Sequence, residues 1–379
     1  MSCSSNVDTQ WLYMLTIQKI LHSGVKLDEL EDKHGICVKY HPELPIVLLD
    51  YDMINSVKTD PAVMECRGLC LHKETFEIVQ KSFTRFFNFG EYEELTSQFN
   101  WNDFSAWDKI DGSMIKIRWY NDDFLITTRF SFADAECGLS SKSWRELVLE
   151  CLNDVQKEII KNNSHITWVF EFCSPWNQVV KYHETNKLVL LLMTDKGKEY
   201  SQSFVDNSAY VWGFVRPKEH HFKSDEECFA YLDKLNEERS TDEGFVLIDS
   251  NGLRLKIKNK YYVLLHSLNG NGEMTSLKKL LPVILNGEID EIISYFPHLT
   301  DIVSDVKMRL DSLMAELLIV WDCAKDIESQ KDFANKIIPL TKMSSILFKV
   351  RKAGGDIKDV AAEFKKSEGL LIKIIDIDL

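Results

Sequence analysis

Hydrophobic and polar positions change their period along this chain. In the first two thirds, short apolar stretches with a period of two predominate, which is the pattern of half-buried strands. They predict strands at Ile36–Tyr40 and Ile46–Tyr51, and an apolar strand over Met64–Leu71 that Arg67-Gly68 interrupts. A hairpin follows, with arms Met114–Tyr120 and Phe124–Thr128 around the turn Asn121-Asp122-Asp123. Thr167–Phe172 reads as a strand, and the almost wholly apolar Lys187–Met193 as one at the centre of its sheet. A second hairpin joins Phe245–Ile248 to Leu253–Lys258 through Ser250-Asn251-Gly252, an Asn-Gly turn being a strong hairpin signal.

Helical spacing occupies three stretches of the same region. Over 8–23, Asp8 can cap a helix whose Trp11, Leu12, Leu15 and Ile20 share a face. Over 141–161 the apolar positions are Trp144, Leu147, Val148, Cys151, Leu152 and Val155. A third helix is expected over 224–237. Beyond about residue 270 the strand pattern stops. Val303, Val306, Leu310, Leu313, Leu317 and Val320 recur at helical spacing, and Ile337–Lys352 and Ile357–Lys366 read as further helices. The expected organisation is α+β: a mainly antiparallel domain over 1–268 and an all-α C-terminal domain over 269–379. The boundary falls at 268–276, around Leu268-Asn269-Gly270-Asn271-Gly272.

The chain has 379 residues, 45% of them hydrophobic, enough for one large core and a smaller one. Its formal net charge is −14. Proteins that bind long duplex nucleic acid non-specifically are usually basic, so this balance argues against a broad electrostatic footprint but not against a local basic groove. The nine cysteines are scattered, without a Cys-x-x-Cys pair or zinc-type spacing. That points to reduced thiols in a cytoplasmic protein. No secretory pattern and no long apolar run is present, so no membrane span is expected.

Polar residues set inside the apolar strands carry the chemistry. Lys109-Ile110-Asp111-Gly112-Ser113 places a lysine immediately before a hairpin. Such a lysine becomes a nucleophile when desolvation or neighbouring cations lower its pKa from about 10.4. Glu171 stands inside the strand 167–172, and Glu243-Gly244 opens another strand. Lys256 and Lys258 share one face of their strand and Leu255 and Ile257 the other. Two lysines side by side lower each other's pKa and suit a polyphosphate or metal-bound anion. In Lys81–Gly90, Phe83, Phe86 and Phe89 are expected inward, with Arg85 and Asn88 left for a phosphate or a base. The bland alternatives are a solvated strand edge for Lys256 and Lys258, a structural ion pair for Glu171, and surface charges at Arg85 and Arg129. His183 and His266 read as structural.

The ordered set resembles the covalent nucleotidyltransferases, namely the ATP-dependent DNA and RNA ligases and the capping guanylyltransferases. Among these it is most similar to the phage-type RNA ligase 1 family. The resemblance rests on Lys109-Ile110-Asp111-Gly112-Ser113, Glu65-Cys66-Arg67-Gly68, Phe86-Phe87-Asn88 and Phe170-Glu171-Phe172 with Pro175 and Asn177. Glu243-Gly244, Lys256-Ile257-Lys258, Tyr262 and Leu265-His266-Ser267 complete it. It implies a nucleotidyltransferase fold of the ATP-grasp-like ligase type. It implies an ATP-dependent RNA ligase that forms AMP covalently on Lys109, passes it to the 5′-phosphate of an RNA, and expels it on attack by a 3′-hydroxyl. It further implies catalytic roles for Lys109, Lys256 and Lys258. The nucleotide would be held by Arg67, Arg85, Lys109, Asp111, Gly112, Glu171, Glu243, Lys256, Lys258 and Tyr262, with Tyr262 closing the site. Mg²⁺ or Mn²⁺ would sit at Glu243, with Glu171 as a second carboxylate, and Arg129, Asn88 and Asn177 would meet RNA. The implied partners are RNA with 5′-phosphate and 3′-hydroxyl ends, such as a nicked tRNA, and a separate end-healing kinase and phosphatase. A monomer is expected.

Three positions depart from the family pattern. Arg85 and Arg129 stand where lysine is usual, and Gln178 where arginine is usual. Two other readings compete: a DNA ligase or capping-type enzyme, and a non-catalytic RNA-binding protein on the same fold. The helical tail argues against the former and the complete motif set against the latter.

Overall fold

A computed structural model describes residues 14–52, 55–269, 277–285, 287, 289, 293 and 299–375. The start of the 8–23 helix and the 270–276 part of the expected boundary lie outside them. The chain separates into two compact units, Met1–Val263 and Leu264–Leu379.

The first unit is built on strands. In chain order they are β1 (Ile36–Tyr40), β2 (Ile46–Tyr51), β3 (Arg67–His72), β4 (Ile78–Gln80) and β5 (Phe87–Asn88). Next come β6 (Phe104–Asp108), β7 (Ser113–Tyr120), β8 (Asp123–Thr127), β9 (Ile166–Cys173) and β10 (Lys187–Asp195). The last are β11 (Lys198–Glu199), β12 (Glu219–His220), β13 (Gly244–Asp249) and β14 (Arg254–Lys258). They form three sheets, ordered β1-β2-β3-β4, β11-β10-β9-β7-β8 and β12-β6-β13-β14-β5. Every pairing between these strands is antiparallel except β14 with the short β5. The fold is thus α+β and mainly antiparallel.

Both predicted hairpins are present. The β7–β8 turn is two residues long, with Asn121 and Asp122 both at positive φ (53° and 61°), as a type I′ turn requires. The central sheet buries Trp168, Phe170 and Phe172 of β9 against Leu147, Val148 and Ile160 of the flanking helices.

Several expectations need correction. Gly68, at φ 68°, does interrupt the strand as a bulge left out of the β2–β3 register, but the strand does not reach back to Met64. A short helix, Pro61–Glu65, capped by Asp60, precedes it, and Arg67 opens β3. β10 is an interior strand of the second sheet, flanked by β9 and the two-residue β11, while β9 holds the middle place. β10 is buried over most of its length, so its apolar run reports two covered faces. The 141–161 stretch forms two helices, Trp144–Glu150 and Asp154–Asn162, because Ser143 and Asn153 each build a capping box. The second cap resets the helical phase, and Val155 is exposed. Of the Phe83–Phe89 rings, Phe87 is the buried one and Phe89 is exposed.

Helices are the only regular structure among the described residues of the second unit. Its longest helix, Thr300–Asp322, buries Val303, Val306, Leu310, Leu317 and Val320. The expected Ile337–Lys352 helix is instead the end of Gln330–Ile337 and a separate Ser344–Lys352. Ile357–Lys365 follows, capped by Asp356. No helix among the described residues is long and apolar enough to cross a membrane. The cysteines among them are free thiols.

Candidate active site

Register decides which side chains meet. Gly244 pairs with Lys258 and Phe245 with Asp108, so the start of β13 and the ends of β6 and β14 converge. Lys109 continues β6 by donating its backbone N–H to the Gly244 carbonyl at 2.8 Å. Glu243, only 4% exposed, then accepts from Lys109 Nζ through Oε2 at 2.7 Å and from Lys258 Nζ through Oε1 at 2.8 Å. In the second sheet, β7 and β9 set Met114 opposite Glu171.

Gly244 lies at φ +125°, and a Cβ there would come within 2.2 Å of the Ile257 carbonyl oxygen. Only glycine lets β13 start so close to β14. At Gly112 a Cβ would meet the Phe172 carbonyl oxygen at 2.5 Å. The Lys-x-Asp-Gly segment therefore packs directly on β9.

A cleft of about 500 Å³ opens beside these residues. Sheet two lines it with Ser113, Met114, Glu171 and Leu191, and sheet three with Trp107, Lys109, Val246 and Lys256. Six cationic residues line it (Arg67, Lys109, Arg129, Arg216, Arg254 and Lys256) against the carboxylates Asp108 and Glu171. In a chain of net charge −14 this is a concentrated positive site.

The charges differ in how they are held. Burial works to lower the Lys109 pKa, but the Glu243 and Glu171 carboxylates outweigh it and keep the amine above its ordinary value. The expectation of a depressed nucleophile is thus reversed in this state. Burial resists ionisation of Glu243, yet Lys109 and Lys258 hold its carboxyl below the usual range. Lys256 behaves as anticipated. Burial first, then Arg67, Lys109 and Lys258, bring its pKa down to about 7. Burial pushes the Glu171 carboxyl up to about 8, against the pull of Lys109.

Asp111 faces away from solvent. Its Oδ1 accepts from the Tyr262 hydroxyl at 2.7 Å, and its Oδ2 from the backbone N–H groups of Val180 and Lys181 at 2.9 and 2.5 Å. His183 meets the Asp111 carbonyl at 2.7 Å, a structural contact. Tyr262 is 1% exposed, so it buttresses the motif from behind rather than closing over it. Asn177 donates to Ser113 Oγ at 2.7 Å, and Gln178 to the Val180 carbonyl at 2.9 Å. Arg85 and Asn88 lie outside the cleft lining. Asn88 donates to Glu91 at 2.8 Å, while two nitrogens of Arg85 are buried without a hydrogen-bond partner.

Two lining cations escaped the sequence reading. Arg254 is two positions before Lys256, hence on the same strand face, and that signal was available. Arg216 had none. Its guanidinium is committed to Asp206 and Gln202, each at 2.7 Å, and to the Leu190 and Leu191 carbonyls.

A lysine at a strand end, a glutamate shared by two ammonium groups and a cation-lined cleft between antiparallel sheets make a candidate phosphate-handling enzyme site. A model of the RNA ligase family matches residues 65–262, just over half of the chain. The chain belongs to the RNA ligase family, which bears out the resemblance carried by its motifs. It is 29% identical over 384 residues to a protein of Autographa californica nuclear polyhedrosis virus named as a bifunctional polynucleotide kinase/RNA ligase, covering 96% of this chain and 53% of that one. The chain thus spans about half the length of that relative. A protein of Thermovibrio ammonificans named as an RNA ligase is 24% identical over 314 residues, 81% of this chain and 77% of the other. Among solved structures, an archaeal ATP-dependent RNA ligase aligns over 93% of this chain and 88% of its own, with 11% identity and a TM-score of 0.48.

Proposed function

We propose that this protein is an ATP-dependent RNA ligase that joins a 3′-hydroxyl to a 5′-phosphate through AMP carried on Lys109. The observation that carries the reading is the placement of Lys109 Nζ, 2.7 Å from Glu243, on the wall of a cleft lined by cations.

Lys109 rests as an ammonium and must lose a proton before its nitrogen attacks. Glu243 Oε2 is in hydrogen-bond contact with it and placed to hold that proton. The N–P bond to the α-phosphorus then forms as the bond to pyrophosphate breaks. Lys256, Lys258 and Arg67 offset the charge on the phosphates. A 5′-phosphate oxygen of RNA next takes the AMP from the lysine and forms a 5′–5′ pyrophosphate. A 3′-hydroxyl attacks the 5′-phosphorus, and AMP leaves.

The Glu171 carboxyl makes no hydrogen bond among the described residues and lines the cleft, where it would meet a ribose hydroxyl or a metal-bound water. No group of three metal-ligating side chains occurs among the described residues. Glu171 and Glu243 fit sparse ligation of Mg²⁺ or Mn²⁺, which keeps several waters and would supply charge neutralisation at the phosphates. Arg129 extends the cationic wall towards RNA, with Asn88 and Asn177 as outer contacts. The name of the viral relative, which couples a polynucleotide kinase to an RNA ligase, supports a role in repair of broken RNA, a nicked tRNA being a fitting substrate. End-healing kinase and phosphatase activities would lie outside residues 1–379, and the helical unit would contribute to substrate choice.

The test is a 5′-radiolabelled, 5′-phosphorylated oligoribonucleotide incubated with ATP and Mg²⁺. Circular product, and an adenylylated oligonucleotide when the 3′ end is blocked, are expected. An oligonucleotide recovered unchanged under both conditions would contradict the reading.

A further inference from the structure

Rings and guanidinium groups alternate in one row beside the cleft. The Arg85 guanidinium lies 5.1 Å from the centre of the Phe87 ring and 4.6 Å from that of Tyr51. Arg129 lies 4.3 Å from Tyr51 and 4.5 Å from Phe130. The order is therefore Phe87, Arg85, Tyr51, Arg129, Phe130. At the inner end Phe87 is 3% exposed, and Tyr51 within the row is 4% exposed. At the outer end Phe130 lines the cleft and is 60% exposed.

The outer ring is held in place. Thr128 Oγ1 accepts from the backbone N–H groups of Phe130 and Ser131 at 3.1 and 2.9 Å, and Thr128 N–H donates to the Ser131 carbonyl at 2.8 Å. Arg129, which lies against the ring, is fixed by Asp50 at 3.0 Å. A large aromatic ring open to water in a pinned turn, on the wall of a cationic cleft, offers a flat face on which a planar group can stack.

The surroundings narrow the choice. Arg85 and Arg129 stand in the row and Lys58 Nζ lies 5.8 Å from the Tyr51 ring, with Asp50 as the carboxylate paired into the group. An aromatic platform joined to surplus positive charge is how proteins take single-stranded nucleic acid, one base on the ring and its phosphates on the cations.

We propose that Phe130 is a specificity residue for the RNA strand, its exposed face stacking an unpaired base at the end to be joined. The row behind it keeps the ring rigid, so little ordering is needed on binding. This rests on the ligase reading, and the experiment separates the two. Full-length wild type, Phe130→Ala, Phe130→Trp and, as an exposed aromatic away from the cleft lining, Tyr210→Ala are compared. The probe is a 5′-phosphorylated oligoribonucleotide with 2-aminopurine as its terminal base, whose fluorescence falls on stacking. Wild type, Phe130→Trp and Tyr210→Ala should bind and quench it. Phe130→Ala should bind roughly 5- to 100-fold more weakly, without quenching. An abasic terminal nucleotide should weaken wild type by the same factor and leave Phe130→Ala unchanged.

Equal affinity and quenching in Phe130→Ala would overturn the proposal. So would an abasic penalty of equal size in both proteins, or a rise in the KM for ATP that matches the loss of RNA affinity. Labelling by ATP is followed alongside: wild type that binds and quenches but never takes label would sink the ligase reading and leave the platform standing.

Discussion

Lys109 and Lys256 line one cleft, and burial acts on both, yet they move in opposite directions. Lys109 has carboxylates beside it and is held as an ammonium, whereas Lys256 lies among other cations and falls to about 7. At pH 8 the free protein therefore carries Lys256 mostly neutral, and a bound triphosphate restores its charge. Titration calorimetry of ATP at pH 8 in buffers of different ionisation heat should show proton uptake, and Lys256→Met should lose most of it. Affinity should fall as pH rises from 7 to 9. Glu171 gives a second test. Its folded pKa of about 8 lies above its ordinary value, so its contribution to stability is fully present below the unfolded pKa and is lost as pH rises through 8. Glu171→Gln should raise Tm more at pH 9 than at pH 5, as read by thermal melts. An equal change at both pH values would contradict the burial argument. The lysine pair was legible because the strand period alone puts Lys256 and Lys258 on one face. The Lys109–Glu243 contact was not, since 134 residues separate the partners and only strand register joins them.

At the scale of elements, β1 and β2 were readable to the residue because alternation and short turns act locally. Helix breaks were less so. The capping residues Ser143 and Asn153 were visible in the sequence, but the apolar spacing runs across both helices and masks the cap between them. The place of β10 in its sheet depends on which strands pair, a long-range property that composition does not carry. Cleft shape depends on the same pairing, held by glycines that let backbones touch. Gly244→Ala should cost at least about 1–3 kcal/mol, from backbone strain alone, measured by urea unfolding. A stability equal to wild type would mean that β13 does not begin where the Ile257 carbonyl leaves room only for glycine.

The whole molecule combines a net charge of −14 with a cationic cleft, so its contact with nucleic acid should be local. Binding of a single-stranded oligoribonucleotide should weaken with salt at a slope of roughly −1.5 to −3 in log–log form, as expected for two to four phosphate contacts. A slope near −10 would indicate a broad basic surface that this chain does not have. The composition change beyond residue 270 signalled a helical unit, and helices are the only regular structure among the described residues of Leu264–Leu379, but which RNA that unit would select was not written in its pattern. The central claim is a covalent one, and α-labelled ATP tests it most directly. Wild type and Lys109→Ala are incubated with the nucleotide and Mg²⁺ and run on a denaturing gel. The account predicts a labelled band in wild type that Lys109→Ala lacks and that disappears when RNA bearing a 5′-phosphate is added. Label retained by Lys109→Ala would place the nucleophile elsewhere, and no label in wild type would mean that the cleft does not carry out this chemistry with ATP.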